Sequence, residues 1–243
     1  MFFREWKKRL ACRVFLAAAT LGSVVGQSPP SGTNQAFNKT QFSIDDPVSI
    51  WVIVNKSRPL QPQSYVPLDL AVPHVKLQLS PKSERMHVRQ MVAEPLHDLF
   101  AAAEKDGFHL ILLSGYRSEA YQEKIYARYQ KKLKRAAIAS ARPGYSEHQT
   151  GLAVDLNRDK DLKCLTMPCF ADMPEAKWLA DHAHEFGFII RYEKTKEAIT
   201  GYEYEPWHLR YVGKDLATEL FNMHKTMEEF FGVGNASADT TSK

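Results

Sequence analysis

The stretch Ser146–Leu156, SEHQTGLAVDL, decides the fold and begins a candidate site. Its second half alternates small or polar residues with large apolar ones. This period of two predicts a β-strand whose successive side chains point to opposite faces. The large residues would face a core, and the small ones would leave room for a metal and a substrate. The two sets are Leu152, Val154 and Leu156 on the core face, and Gly151, Ala153 and Asp155 on the other.

Two residues of this stretch, His148 and Asp155, are candidate metal ligands, with His208 as a third. Catalytic zinc usually takes three protein ligands and keeps one position open. Two neutral imidazoles and one carboxylate meet that need, with His148 reaching in from the loop before the strand. Glu205 would then act as the general base on the attacking water. A lone histidine–aspartate pair is usually a surface or capping interaction, so the prediction depends on both stretches together.

The second stretch, Glu205–His208 (EPWH), is harder to place on a regular element. A spacing of three aligns side chains on a helix but opposes them on a flat strand. Pro206 cannot donate to a β-ladder. We therefore expect an irregular or bulged segment that turns Glu205 and His208 toward the same point.

Several motifs in order resemble the VanY-type D-alanyl-D-alanine carboxypeptidases, zinc peptidases related to VanX dipeptidases and LD-carboxypeptidases. The resemblance covers residues 48–230 and implies a compact α+β fold, a hedgehog/DD-peptidase-like small antiparallel sheet flanked by helices. It also implies one zinc ion and removal of the C-terminal D-alanine from peptidoglycan stem peptides. Besides SEHQTGLAVDL, the motifs are SGYRSEAYQ (Ser114–Gln122), FGFIIRY (Phe186–Tyr192) and YEPWHLRYVG (Tyr204–Gly213).

The resemblance also implies residues that line a substrate pocket. Arg117 would bind the substrate carboxylate or stabilise the oxyanion of the reaction, since a guanidinium suits either group. Gln122 would line the pocket nearby. Ser146 would cap or orient the neighbouring histidine or bind substrate, and Tyr192 and Trp207 would contact substrate at the pocket edge.

Two other functions fit these residues. One is LD-carboxypeptidase or dipeptidase action, because the depth of the pocket is not readable from the sequence. The other is a non-catalytic, zinc-stabilised module that binds the cell wall. Glu205 favours an enzyme, since a binding module needs no acid beside the water. A serine hydrolase is disfavoured because the chain has no G-x-S-x-G elbow.

The N-terminal residues 1–26 are predicted to be a signal peptide, with a basic start and an apolar run at 14–26. An uncleaved membrane anchor is the alternative. We expect an exported protein of the cell envelope, periplasmic or extracellular, and a monomer. The other predicted segments are a flexible linker at 27–42, a zinc carboxypeptidase domain at 43–231 and a disordered tail at 232–243.

The charge and the cysteines agree with export. Residues 1–26 carry five basic residues and one acid, which accounts for the whole formal charge of +4. The remainder is near neutral, which argues against a nucleic-acid partner. Cys164 and Cys169 are the only cysteines beyond the signal segment. Since exported chains form disulfides, we expect these two to be paired.

Hydrophobic patterning predicts the other elements. His182 and His184 lie on one of the predicted helices and are not needed as ligands. The predicted strands are Ser49–Val54, His109–Leu113 and Phe188–Tyr192. The predicted helices are His87–Lys105, interrupted by Pro95, a helix capped by Ser118 and running to Ala137, Pro174–Phe186 and Asp215–Phe231.

Overall fold

The computed structural model describes residues 36–132, 140–159 and 167–234. Within them lie six strands and seven α-helices, together with short 3-10 turns. The strands are β1 (Leu70–Ala71), β2 (Val88–Arg89), β3 (Leu110–Ser114), β4 (Ala153–Arg158), β5 (Phe188–Ile190) and β6 (His208–Tyr211). The helices are α1 (Gln90–Lys105), α2 (Glu119–Lys132), α3 (Met167–Phe170), α4 (Pro174–His182), α5 (Glu197–Thr200), α6 (Lys214–Met223) and α7 (Met227–Phe231).

The main sheet has four antiparallel strands in the order β3-β4-β6-β5. Its core side carries Leu152, Val154 and Leu156, as predicted, and these residues pack in one cluster with apolar residues of α1 and α4. Leu209 of β6 joins the same cluster. Since side chains alternate along a strand, Asp155 and His208 point to the other face. The predicted α+β fold with a small antiparallel sheet and flanking helices is confirmed.

The C-terminal segment forms a second apolar cluster, which joins α6 and α7 to Trp51 and Ile189. The prediction of a single helix over Asp215–Phe231 was wrong. The chain breaks at His224, which adopts a left-handed conformation with φ 51°. Thr226 then starts α7 through a capping box with Glu229, which satisfies backbone donors of the new helix end.

The predicted strand Ser49–Val54 is absent from the described sheets. Its residues are nevertheless buried from Trp51 onward. No neighbouring strand of the described residues pairs with this segment, because a side chain binds two of its backbone carbonyl groups instead. The guanidinium of Arg210 donates to the carbonyl oxygens of Ile50 and Val52 at 3.0 and 2.8 Å.

The helix predicted at His87–Lys105 begins at Gln90, because Val88–Arg89 pairs with Leu70–Ala71 as a second small sheet. This arrangement also corrects the prediction of open space beside Gly151. A β-carbon on Gly151 would lie 2.9 Å from the side chain of Arg89, so that position is already filled.

Other boundaries differ by a few residues. The strand predicted at 109–113 is Leu110–Ser114, and the one predicted at 188–192 ends at Ile190. The helix predicted at 174–186 is α4 followed by a 3-10 turn. Ser118 Oγ accepts the Tyr121 amide at the start of α2, as predicted. The predicted end of that helix at 137 lies outside the described residues.

The predicted signal peptide also lies outside the described residues, as does most of the predicted linker and tail. The folded unit includes Phe37, whose ring lies 5.6 Å from Trp51 and 5.4 Å from Phe230. Among the helices of the described residues, none has the length and hydropathy required of a membrane span.

Candidate active site

The neighbouring strands β4 and β6 bring Asp155 and His208 together, because these two residues lie directly opposite each other in the strand register. His208 Nδ1 lies 3.1 Å from Asp155 Oδ1, and His148 Nε2 lies 3.3 Å from the same oxygen. One donor atom from each of the three residues falls within 4.8 Å of the others, and all three residues are buried. The three predicted ligands therefore form a compact group of suitable type to hold a metal ion.

His148 lies on a 3-10 turn, Glu147–Thr150, immediately before β4. Its Nδ1 lies 2.6 Å from the carbonyl oxygen of Gly115, so the neutral ring donates there and keeps Nε2 as the acceptor facing Asp155. Gly115 cannot be replaced easily, because a β-carbon there would lie 2.2 Å from the carbonyl oxygen of His87. Nε2 has no hydrogen-bond partner among the described residues, as expected of a metal ligand.

The electrostatics of the group suit a cation. Burial, assisted by Arg117, lowers the pKa of His148 to about 4, which keeps its ring neutral. Burial would raise the pKa of Asp155, but the two histidines and Arg117 outweigh it and hold that pKa well below its usual value. Burial likewise opposes charge on His208, but the adjacent carboxylates of Asp155 and Glu147 raise its pKa to about 9.

Glu205 precedes β6 in a turn, whose closing hydrogen bond joins the His208 amide to the Glu205 carbonyl at 3.0 Å. The prediction of an irregular segment at Glu205–His208 is confirmed in this form. Burial, assisted by the charge of Asp155, raises the pKa of Glu205 to about 7. A carboxylate with a pKa near neutrality is well suited to accept and return a proton.

Arg117 lies on the pocket side of the metal group. Its Nη2 donates to Asp155 Oδ2 at 3.0 Å, and its Nη1 donates to Gln122 Oε1 at 3.3 Å. Gln122 in turn donates to Ser140 Oγ and the Ala141 carbonyl oxygen. The amide of Gln122 is thus used within the protein, and it fixes the position of Arg117.

One cavity of about 460 Å³ contains all nine predicted site residues in its lining. Ser146 makes no side-chain cap hydrogen bond, so the capping alternative for it was wrong. Tyr192 is buried and stacks on His208 with ring centroids 4.9 Å apart. Trp207 is also mostly buried and packs against the main core. His182 and His184, which were not expected as ligands, lie apart from this lining.

Sequence reasoning missed a buried network of charges next to His208. Glu147 accepts hydrogen bonds from Arg191 at 2.8 Å and from Arg210 at 2.7 Å, with all three side chains fully buried. Arg191 also binds Glu228 through two hydrogen bonds of 2.9 and 2.6 Å. Glu147 and Arg191 lie inside the motifs quoted above, but nothing in the sequence showed that they meet.

The disulfide stays a prediction. Cys169 is disulfide-bonded, whereas Cys164 lies outside the described residues.

Comparisons with known proteins agree with the geometry. Residues 85–214 match the family model VanY, described as D-alanyl-D-alanine carboxypeptidase. A D-alanyl-D-alanine carboxypeptidase of Enterococcus faecalis is 34% identical over 236 residues, which cover 90% of this chain and 81% of the relative.

Two solved structures are similar in fold and sequence. The LD-carboxypeptidase LdcB is 41% identical with a TM-score of 0.71, covering 76% of this chain and 87% of that one. A mutant of the vancomycin-resistance D,D-pentapeptidase VanY, in complex with Zn(II), is 35% identical with a TM-score of 0.59, covering 74% and 97%. Together with the histidine–aspartate–histidine group, this complex identifies the cofactor as zinc.

Proposed function

Because the chain belongs to the VanY family of D-alanyl-D-alanine carboxypeptidases, we propose that it removes the C-terminal D-alanine from peptidoglycan stem peptides. One observation carries this proposal. Glu205, with its pKa raised to about 7, and Arg117 line the same cavity as the candidate metal group. A carboxypeptidase needs a metal, a base and a cation for the substrate's carboxylate or the developing oxyanion, and the cavity offers all three.

His148 and Asp155 are proposed as zinc ligands, together with His208. The free acceptor of His148 and the Nδ1 atom of His208 both face Asp155 Oδ1, which supports this set. When bound, zinc lowers the pKa of water and polarises the scissile carbonyl.

Glu205 is proposed as the general base and then the general acid. It takes a proton from the attacking water and returns that proton to the leaving amine of the terminal D-alanine. The burial that raises its pKa makes both transfers favourable near neutral pH.

Arg117 is proposed to bind the substrate carboxylate or to stabilise the oxyanion. Its Nε is buried without a hydrogen-bond partner among the described residues, and Gln122 holds its Nη1. Ser146, Tyr192 and Trp207 are proposed to contact the substrate in the remainder of the cavity.

A second candidate function is LD-carboxypeptidase action on tetrapeptide stems. It is favoured by the likeness to LdcB, whose TM-score and identity both exceed those of the VanY structure compared above. The two activities use the same chemistry and differ in which stereocentre precedes the scissile bond.

Mass spectrometry of synthetic stems decides between these activities. The zinc-loaded protein is incubated with a pentapeptide stem that ends in D-Ala-D-Ala and, separately, with a tetrapeptide stem. We expect the pentapeptide to lose one alanine, and a chelator to stop the reaction. Cleavage of the tetrapeptide alone would establish the LD-activity. If neither stem is cut, the non-catalytic wall-binding module becomes the better assignment.

The remaining expectations concern the setting of the enzyme. We propose that residues 1–26 direct export to the cell envelope, as a cleaved signal or a membrane anchor, and that the enzyme is monomeric. We also propose a disulfide between Cys164 and Cys169. The peptidoglycan-related substrates of its relatives support an envelope location.

A further inference from the structure

Glu147 faces the ring nitrogen of His208 that does not face Asp155. Glu147 Oε2 lies 3.6 Å from His208 Nε2, while His208 Nδ1 lies 3.1 Å from Asp155. Both facing atoms are buried, and neither has a hydrogen-bond partner among the described residues. A neutral imidazole carries one N–H, and a metal ligand must keep its other nitrogen unprotonated. Glu147 Oε2, at 3.6 Å, is therefore positioned to face the remaining N–H of His208.

From this geometry we infer that Glu147 is a positioning residue for the metal centre. It holds the proton of His208 on Nε2 and fixes the plane of the ring, so that Nδ1 is presented to the zinc ion. This inference rests on the proposed ligation of zinc by His208. Carboxylates that accept the second N–H of a ligating histidine are known to set its tautomer and raise its basicity.

The carboxylate of Glu147 is itself held rigidly. Its Oε1 accepts from Arg191 Nε and Arg210 Nη1, which leaves Oε2 facing His208. Arg210 lies two residues after His208 on the same strand, so both side chains project from the same face of the sheet. Strand β6 thus supplies both the proposed ligand His208 and Arg210, which together with Arg191 forms a clamp on the Glu147 carboxylate.

The clamp extends to the C-terminal helix. Arg191 is bound by Glu228 of α7, and Glu228 also accepts a hydrogen bond of 3.0 Å from Asn55. Two carboxylates and two guanidiniums balance in charge within this network. Such a buried network is a costly way to obtain stability alone, and its contact with a metal ligand gives it a second use.

The test replaces one carboxylate at a time. A glutamine at position 147 cannot accept from two guanidiniums and also from His208, because half of its amide is a donor. We expect Glu147→Gln to weaken the affinity for zinc by about 10- to 100-fold. The measurement is the zinc Kd from competition with a chelating indicator, with circular dichroism to verify folding.

Glu228→Gln is the matched control. It removes the other carboxylate of the network and leaves the same charge imbalance, but the side chain of Glu228 hydrogen-bonds to Arg191 and Asn55 and, among the described residues, forms no hydrogen bond or ion pair with His208. We expect this variant to unfold at lower temperature, and its zinc Kd to stay closer to the parental value than that of Glu147→Gln. Equal losses of zinc affinity in the two variants would assign Glu147 a purely structural role and overturn the inference.

Two further variants keep the result interpretable. His208→Ala should lose zinc affinity more strongly than Glu147→Gln. If it binds zinc as tightly as the parent, the ligand assignment itself fails, which is a different failure from that of Glu147.

If Glu147→Gln does not fold, Glu147→Asp preserves the charge but withdraws the oxygen from His208. Weaker zinc binding by that folded variant supports the inference, and unchanged binding refutes it.

Discussion

Glu147 and Glu205 lie near the same histidine, and their surroundings give them opposite properties. Two buried guanidiniums outweigh the effect of burial on Glu147 and lower its pKa, so it is a permanent anion. Among the described residues no guanidinium is hydrogen-bonded to Glu205, and burial raises its pKa to about 7. One carboxylate is suited to hold a neighbouring ring in place and the other to exchange a proton. Residue type alone therefore does not assign a role at this site.

The contrast also applies to the arginines. Arg191 and Arg210 are fully buried, with each partner supplied by the protein. Arg117 lines the cavity, and its side chain is 16% exposed. The buried pair can contribute to stability and ligand orientation, whereas Arg117 remains accessible to a substrate.

The largest expected effect comes from Glu205→Gln. This change removes the group that accepts and returns the proton, so we expect kcat to fall by about 10²- to 10⁴-fold. Zinc content, measured by atomic emission, should remain at one ion per chain. The exposed Glu203→Gln serves as control and should keep parental turnover. Retained activity in Glu205→Gln would show that Glu205 is not the general base and would remove the functional difference proposed between Glu205 and Glu147.

Arg117→Gln is expected to have the next largest effect. Loss of a cation at the reacting carbonyl or substrate carboxylate should reduce kcat/KM by about 10²- to 10³-fold. The loss in free energy of unfolding should be smaller than for Arg191, because Asp155 keeps His148 and His208 as neighbours when Arg117 is removed. Arg191→Gln should do the opposite and cost about 3–5 kcal/mol of stability by leaving buried carboxylates unpaired. Urea unfolding and steady-state kinetics of both variants test this division. A large loss of stability in Arg117→Gln with normal kcat/KM, or the reverse in Arg191→Gln, would contradict it.

The parts of this site that were predictable depend on short-range pattern. The alternation in β4 placed Leu152, Val154 and Leu156 on the core face, and the structure agrees. The facing positions of Asp155 and His208 follow from the pairing of β4 with β6, which neither the pattern nor the motifs predicted.

The network behind His208 was not predictable, because its contacts are long-range. Glu147 meets Arg191 and Arg210 across 44 and 63 residues of sequence. The same long-range contacts explain the wrong strand at 49–54. An apolar, β-branched segment is typical of a strand, but Arg210 satisfies carbonyl groups that a neighbouring strand would otherwise bind.

The smallest expected effect is on the free energy of unfolding of the metal-free protein. Its dependence on pH has opposite signs for Glu205 and Glu228. The folded-state pKa of Glu205, about 7, exceeds its ordinary value of 4.5. Between these pH values the unfolded chain has released a proton that the folded chain retains. Glu205 therefore reduces stability as pH rises from 4.5 to 7, and the full penalty persists above pH 7. We expect Glu205→Gln to stabilise the chelator-treated protein by about 1–3 kcal/mol at pH 8 and negligibly at pH 4.

Glu228 provides the reverse case. Arg191 outweighs the effect of burial and lowers the pKa of Glu228 below 4.5, so its stabilising contribution is present above pH 4.5 and is lost as pH falls through the folded-state value. Glu228→Gln should thus destabilise the metal-free protein at pH 8, with the difference shrinking in acid. Urea unfolding of the three proteins at both pH values measures these signs. If Glu205→Gln is destabilising at pH 8, the carboxylate of Glu205 is held as an anion like that of Glu147, and the division of roles between the two glutamates is lost.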